Sequence, residues 1–318
     1  MKEKDIENLV LRGFQSELAE KSPSYYYQIF MMTVRSLVPE SSGGNCVNYE
    51  RFSEELKLWT GYRAGGNSAL NDFALRGRRG KDFDESAPVR AVPIFIANEN
   101  SEKAVQEIFK SSYFITENIK SFLVSVSAGF IISEFIESKN FDEMFSELKE
   151  ILIGINTSEL LKTVNKENDK LYIINFERNR IELLQKMDRV NSAFDNEEES
   201  EYLKFLKEIY RFLSEESGED RGLSKICGFI SDDADLDSGY LRSIGNYLGR
   251  LRKGRISPES LKFEKKDDAS VYSLREGERF RNSVLGDSVL KKIEEKDGFE
   301  LRYVVSKSGK YRFFRKLR

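Results

Sequence analysis

Two groups of carboxylates in this chain have the spacing to do chemistry. The denser is SDDADLDS, Ser231 to Ser238, in which Asp233, Asp235 and Asp237 alternate. In an extended segment alternate side chains share one side, so the three could offer oxygen ligands to a hard cation. The plainer account is the start of a helix, where acids favour the positive end of the dipole. The second group is Asp84-Glu85-Ser86, which runs into the apolar segment APVRAVPIFI. Pro88 and Pro93 lack amide hydrogens and bias the residues before them away from the helical region, so Ala87 and Val92 are expected to be kinked or extended. That leaves Arg90 held between two stiff points inside an apolar run. Such a charge needs an anionic partner, and the plainer account is a structural pair with a buried carboxylate.

The 318 residues include no histidine. Imidazole general bases, Ser-His and Cys-His nucleophile pairs and HExxH zinc sites are therefore excluded. Any catalysis must use carboxylates, Tyr, Lys, hydroxyls or hard metals bound through oxygen. The formal charge of −3 gives no global field for nucleic acid or an anionic membrane. Cys46 and Cys227 stand far apart, so neither a zinc site nor a disulfide framework is indicated. The opening MKEKDIEN is charged and has no apolar signal core, and the apolar run from Phe122 to Ile136 is too short and too rich in serine to span a bilayer. A cytoplasmic protein that avoids membranes is expected.

The elements that must position these residues read mostly as helices. Asp5 to Glu20 puts Ile6, Leu9, Val10, Phe14 and Leu18 on one face. Ser24 is placed to cap a helix running through Val38, and Asn48 to cap another that turns Phe52, Leu56 and Trp59 inward. GYRAGGNSALND, from Gly61, connects to a short helix, and RGRRGK, Arg76 to Lys81, reads as a solvated loop. Ser101 opens a helix to Lys110. Thr116 is expected to cap the helix Ile119 to Ile136, which is apolar on every side and belongs at the centre of a core. Helices also fit Phe141 to Ile153, Ser158 to Val164, Leu171 to Val190 (where LYIINF also suits a strand) and Tyr202 to Leu213. Gly245 and Gly249 are four apart on a helix ending near Gly254, a spacing that permits close helix contact. Beyond Pro258 an extended segment, a helix over Ser288 to Glu295 and a hairpin of Phe299 to Val305 with Lys310 to Phe314 are expected. From Arg302 onward the chain carries Lys and Arg but no acid. Solvated edge-strand cations account for that more simply than a nucleic-acid reader does.

Several of these pieces, in this order, resemble the ADP-ribosylglycohydrolase family. LVLRGFQSELAE (from Leu9) is similar to its opening helix, YQIFMMTVRSL (from Tyr27) to the helix after its Thr-Asp-Asp-Thr metal motif, and YERFSEELKLW (from Tyr49) to the next helix. GGNSALNDF (from Gly65) resembles its Gly-Asn-Thr-Thr segment. SAPVRAVPI (from Ser86) matches its Gly-Asn-Gly-x-x-Met-Arg-x-x-Pro signature at Arg90 and Pro93. SSYFITEN (from Ser111) fits the Leu-Thr-His segment, and DADLDS (from Asp233) with the glycines after it fits the closing Asp-x-Asp-Thr motif. The resemblance implies an all-α body over residues 1–256 with a two-magnesium centre, and leaves residues 257–318 as a small α+β appendage. The departures bear on function. Ser24-Tyr25-Tyr26-Tyr27 stands where the family has Thr-Asp-Asp-Thr, Ser16 and Glu17 where it has a Gly-Asp-Ala turn, Asp84-Glu85-Ser86 for Gly-Asn-Gly, and Glu117 for its His. Tyrosine is neutral at pH 7 and supplies no anion to magnesium.

Three readings follow. In the first, a degenerate family member binds an ADP-ribose-like small molecule or a protein partner with little hydrolysis, using Tyr25, Tyr26, Ser86, Arg90, Glu117 and Ser238 and needing no cofactor. In the second, an active ADP-ribosyl hydrolase has rebuilt its centre on Asp84 and Glu85, or on one magnesium held by Asp233, Asp235 and Asp237. In the third, the basic tail makes the chain a nucleic-acid adaptor. The lost metal ligands favour the first, and nucleic acid is not an expected partner.

Overall fold

A computed structural model describes residues 1–19, 24–135, 141–189, 239–261, 263, 268–307 and 309–317. Asp233, Asp235, Asp237 and Ser238, and the helix expected over 202–213, lie outside the described residues. The body is built of α1 (Glu3–Ala19), α2 (Tyr25–Ser36), α3 (Tyr49–Trp59), α4 (Ser68–Arg76), α5 (Ala87–Ala97), α6 (Ser101–Ile115), α7 (Ile119–Phe135), α8 (Phe141–Gly154), α9 (Thr157–Lys162), α10 (Lys170–Arg189) and α11 (Gly239–Arg252). No described helix is long and apolar enough to cross a membrane. LYIINF is helical, in the first turns of α10.

Side chains cap these helices where the sequence offers Asn or Ser. Ser24 Oγ accepts from the Tyr27 amide, and Asn48, Asn67, Asn100 and Asn156 each accept an amide of the first turn of α3, α4, α6 and α9. The helix expected to run through Val38 stops at Ser36. Leu37–Pro39 (β1) instead pairs antiparallel with Asn45–Val47 (β2), and Gly43 and Gly44 make the turn at φ values of 96° and 78°. Thr116 does not cap α7. Its hydroxyl donates to the Asp82 carbonyl at 2.8 Å, and Asn118 Oδ1 accepts from the Ser121 amide at 3.0 Å in its place.

The core centres on α5 and α7. Residues 121–133 of α7 are all buried, as an all-round apolar sequence requires. Gly129 is what lets α5 approach, because a Cβ there would lie 2.4 Å from Phe95 Cδ2 and 3.2 Å from the Ala91 carbonyl. Neither proline breaks the chain into the extended backbone expected at Ala87 and Val92. Pro88 occupies the first turn of α5, where an amide is dispensable, and the helix continues through Pro93. Every residue of α5 is buried, and that packing outweighs the lost amide bond and ring clash, which otherwise cost about 3 kcal/mol. The small-residue spacing on α11 acts as expected: a Cβ on Gly245 would sit 2.5 Å from Glu7 Cα, and one on Gly249 2.7 Å from Glu3 Cγ, so α11 lies directly on α1.

After Pro258 the chain is β rather than α+β. Arg279–Asn282 (β3), Gly286–Lys296 (β4), Phe299–Ser306 (β5) and Gly309–Lys316 (β6) form one antiparallel meander in sequence order. The expected helix over Ser288 to Glu295 is β4. Its Ser288 and Leu290 turn inward, and an irregularity at Lys291 shifts the register. Asp297 and Gly298, at φ 51° and 77°, make the tight turn into β5. The expected hairpin of β5 and β6 forms, with Ser306 opposite Gly309. Among the described residues no α-helix follows Arg252. The sheet joins the body core: Tyr62 meets Tyr311 and Phe313 edge-on, and the Phe314 amide donates to the Gly61 carbonyl at 2.8 Å.

Candidate functional site

The start of α2, the loop 61–67 and the Asp84–Ser86 segment ahead of α5 meet at one corner of the body. Tyr25 and Tyr26 lie with ring centroids 4.0 Å apart and planes 32° apart; Tyr26 is almost covered and Tyr25 half-buried. The loop is fixed from beneath by Gln28, whose Oε1 accepts from Trp59 Nε1 at 2.8 Å and from the Ala64 amide at 3.2 Å. It passes against the tyrosine: a Cβ on Gly65 would lie 3.1 Å from Tyr25 Cδ1. Asn67 then links loop to acid, capping α4 through Oδ1 while its Nδ2 donates to Asp84 Oδ1 at 2.8 Å.

Asp84 is fully buried. Its Oδ1 also accepts from the Ser86 amide at 2.9 Å and the Ser86 hydroxyl at 2.6 Å, and its Oδ2 accepts from Arg90 Nη1 at 2.7 Å. Arg90, 1 % exposed, is completed by Ser86 Oγ at 3.0 Å and Ser111 Oγ at 3.2 Å. The structural pairing expected of Arg90 is therefore formed, with Asp84. Burial pushes the Asp84 carboxyl up, but the Arg90 charge and the bonds from Ser86, Arg90 and Asn67 outweigh it and hold the group below the usual carboxylate range. A carboxylate so neutralised and enclosed is neither a proton donor nor a free ligand at neutral pH.

Glu85 is exposed and faces the phenols. Burial first, then the bond to Tyr26 and the charges of Tyr26, Glu85 and Asp84, raise the Tyr25 phenol far above its ordinary value. Burial also raises Tyr26, reinforced by Glu85 and opposed by the bond to Tyr25. Both rings stay neutral at any physiological pH. The corner offers an aromatic face, two phenol hydroxyls and one exposed carboxylate, a set suited to stacking and hydrogen bonding.

Glu117 makes its contacts with a different group. It lies 3.7 Å from Arg79 and 3.4 Å from the Tyr113 hydroxyl, and Arg79 also covers the Tyr113 ring at 4.2 Å. Among the described residues no group of three acids or cysteines could hold a metal ion.

A cavity of about 620 Å³ elsewhere was not legible in the sequence. It opens between the β1–β2 turn, the end of α5, the start of α6 and the end of α11. Both of its cations have partners, Lys103 in Glu40 and Arg252 in the carbonyls of Ile96 and Asn98. The signal missed was Gly43-Gly44-Asn45, whose Asn45 Nδ2 ties the turn to the Ala97 carbonyl at 2.7 Å.

No protein-family model matches the chain, and no curated protein matches it either.

Proposed function

We propose that this chain is a non-hydrolysing relative of the ADP-ribosylglycohydrolases that binds an ADP-ribose-like ligand at the Tyr25–Tyr26 corner. The observation that carries this reading is the state of Asp84. Of the two acids of this segment, Asp84 is fully buried and committed to Arg90, Ser86 and Asn67, so Glu85 alone is open to the corner and no acid–base pair is available. Neutral phenols stand where a dinuclear magnesium site would need anions. A flat base would stack on Tyr25 while Glu85 accepts from its amino group or from a ribose hydroxyl.

Calorimetry with ADP-ribose, with and without magnesium, tests this reading together with an assay on ADP-ribosylated arginine. Binding independent of magnesium, weakened roughly 5- to 150-fold in Tyr25→Ala and without turnover, is the expected result; a lost stacking contact of about 1–3 kcal/mol gives that range. Turnover that disappears in Glu85→Gln or Asp235→Ala would establish the rebuilt hydrolase instead. Binding indifferent to Tyr25→Ala would remove the corner from consideration.

A further inference from the structure

We infer that the outer face of the C-terminal sheet binds single-stranded nucleic acid. The observation is a repeated cross-strand pattern. Tyr303 on β5 stands opposite Lys292 on β4 and Arg312 on β6, and Phe299 on β5 stands opposite Lys296 on β4 and Lys316 on β6. Each aromatic ring is thus flanked on both neighbouring strands by a cation. Directly opposed side chains lie about 4.5–5.5 Å apart at Cβ, so each row places a flat apolar surface between two positive charges.

The rows face outward. Glu300, Arg302 and Val304 of β5 are buried toward the body while Phe299, Leu301, Tyr303 and Val305 alternate with them, and on β6 Tyr311 and Phe313 are buried while Lys310, Arg312 and Lys316 are exposed. Phe314, beside Leu301, meets Phe299 edge-on at 6.5 Å and extends the aromatic strip. The face has two acids in these registers. Glu294 bonds Lys292 and the Tyr303 hydroxyl and faces Lys296, and Asp287 lies 3.8 Å from Arg281, which leaves Arg279, Lys310, Arg312 and Lys316 with no acid against them among the described residues. This local excess sits on a chain whose overall charge is slightly negative.

Protection of a sheet edge accounts for the cations of β6, and for Lys292 and Lys296 as well, because β3 covers β4 only at Gly286 to Val289; it does not account for the aromatic rings set between them. Charge complementarity selects a polyanion, and the interleaved rings select one that presents flat bases. A single strand does both: its phosphates lie along the cationic rows and its unstacked bases on Tyr303 and Phe299. A duplex hides its bases, and a lipid surface has none. The face is separate from the tyrosine corner, so this inference stands or falls independently of the proposed ligand.

Fluorescence anisotropy of the full chain tests it, with labelled single strands of RNA and DNA of about twelve nucleotides, a span one such binding surface can cover. The expected result is binding to single strands that weakens steeply between about 50 and 200 mM salt. Lys310→Ala/Arg312→Ala should flatten the log–log salt slope by about 1.4, at about 0.7 per lost phosphate contact. Tyr303→Ala should weaken binding about tenfold at every salt concentration and leave the slope unchanged. All three side chains point to solvent, so these variants keep the buried face intact. Equal binding of duplex and single strand, or no effect of Tyr303→Ala, would overturn the inference in favour of a generic polyanion surface. Binding to phosphatidylserine vesicles with none to either oligonucleotide would overturn it in favour of a membrane.

Discussion

Replacing Arg90 by Met tests how the centre of the body is held. The substitution keeps much of the side-chain volume but removes the one donor to Asp84 Oδ2 and the only charge opposing it within the cluster. Oδ1 keeps its three donors, from Asn67 and from the Ser86 amide and hydroxyl. What remains is a carboxylate with no exposed surface, half satisfied and without a counter-charge. Breaking one side of a buried pair costs about 3–5 kcal/mol, and the surviving bonds put this case near the lower end. At roughly 2 °C per kcal/mol for a chain of this size, the midpoint of thermal unfolding should fall by about 6 °C. The pH dependence carries the diagnostic sign. In the native chain Asp84 is depressed, so its contribution is present above the unfolded value of about 3.9 and is lost only as pH falls through the lower folded value. In Arg90→Met the depression is gone and burial raises the group, so folding takes up a proton and the penalty shrinks as pH falls from about 7.5 to 5. Urea unfolding at both pH values, with Asp84→Asn/Arg90→Met as the neutral double variant, supplies the measurement. A loss below about 1 kcal/mol would refute the reasoning, as would a penalty unchanged by pH together with a double variant no more stable than the single one.

Other consequences can be checked the same way. Gly245→Ala should destabilise by about 1–3 kcal/mol because its Cβ meets Glu7 backbone, whereas Gly249→Ala, which meets the flexible Glu3 side chain, should cost clearly less; chemical denaturation compares them. Arg35 donates to buried Glu55 at 2.9 Å and to the Tyr311 hydroxyl at 3.1 Å, so Arg35→Met should cost about 3 kcal/mol and Tyr311→Phe only about 1, read from the same unfolding curves. Burial first, then the charges of Glu107 and Glu40, push the Cys46 thiol up to about 11, so in a Cys227→Ser background it should react slowly with a disulfide reagent at pH 7.5 and rapidly in denaturant.

What the sequence made legible was mostly local. The period of α1, the inward face of α3 and the all-round apolarity of α7 are properties of contiguous residues, and each appears as expected. Partnership between Arg90 and an acid was legible too, because Asp84 is only six residues away. Pro93 was misleading because local preference opposes a helix there and only packing against α7 decides otherwise. Ser288 to Glu295 has a helix-forming composition, and its strand is dictated by pairing along its length with β5, β3 reaching only Ser288 and Val289 of it. The tyrosine corner falls between these cases. Tyr25 and Asp84 were visible as departures from a pattern, but the loop that joins them through Gly65 and Asn67 depends on contacts across tens of residues. No local signal marked Glu55 and Glu107; both are buried, the latter bonded to the Val47 amide and the Tyr49 hydroxyl.

The seam between α1 and α11 has a consequence during synthesis. Arg255 reaches Glu3 across 252 positions, and Gly245 rests on Glu7, so α1 waits for a helix made far later. At about 5–20 residues per second, α1 spends more than about ten seconds without its partner. Ile6, Leu9, Val10 and Phe14, almost wholly covered in the finished fold, therefore lack the cover of α11 over that interval. Closure of that seam is a late step, taken across nearly the whole span between the two helices.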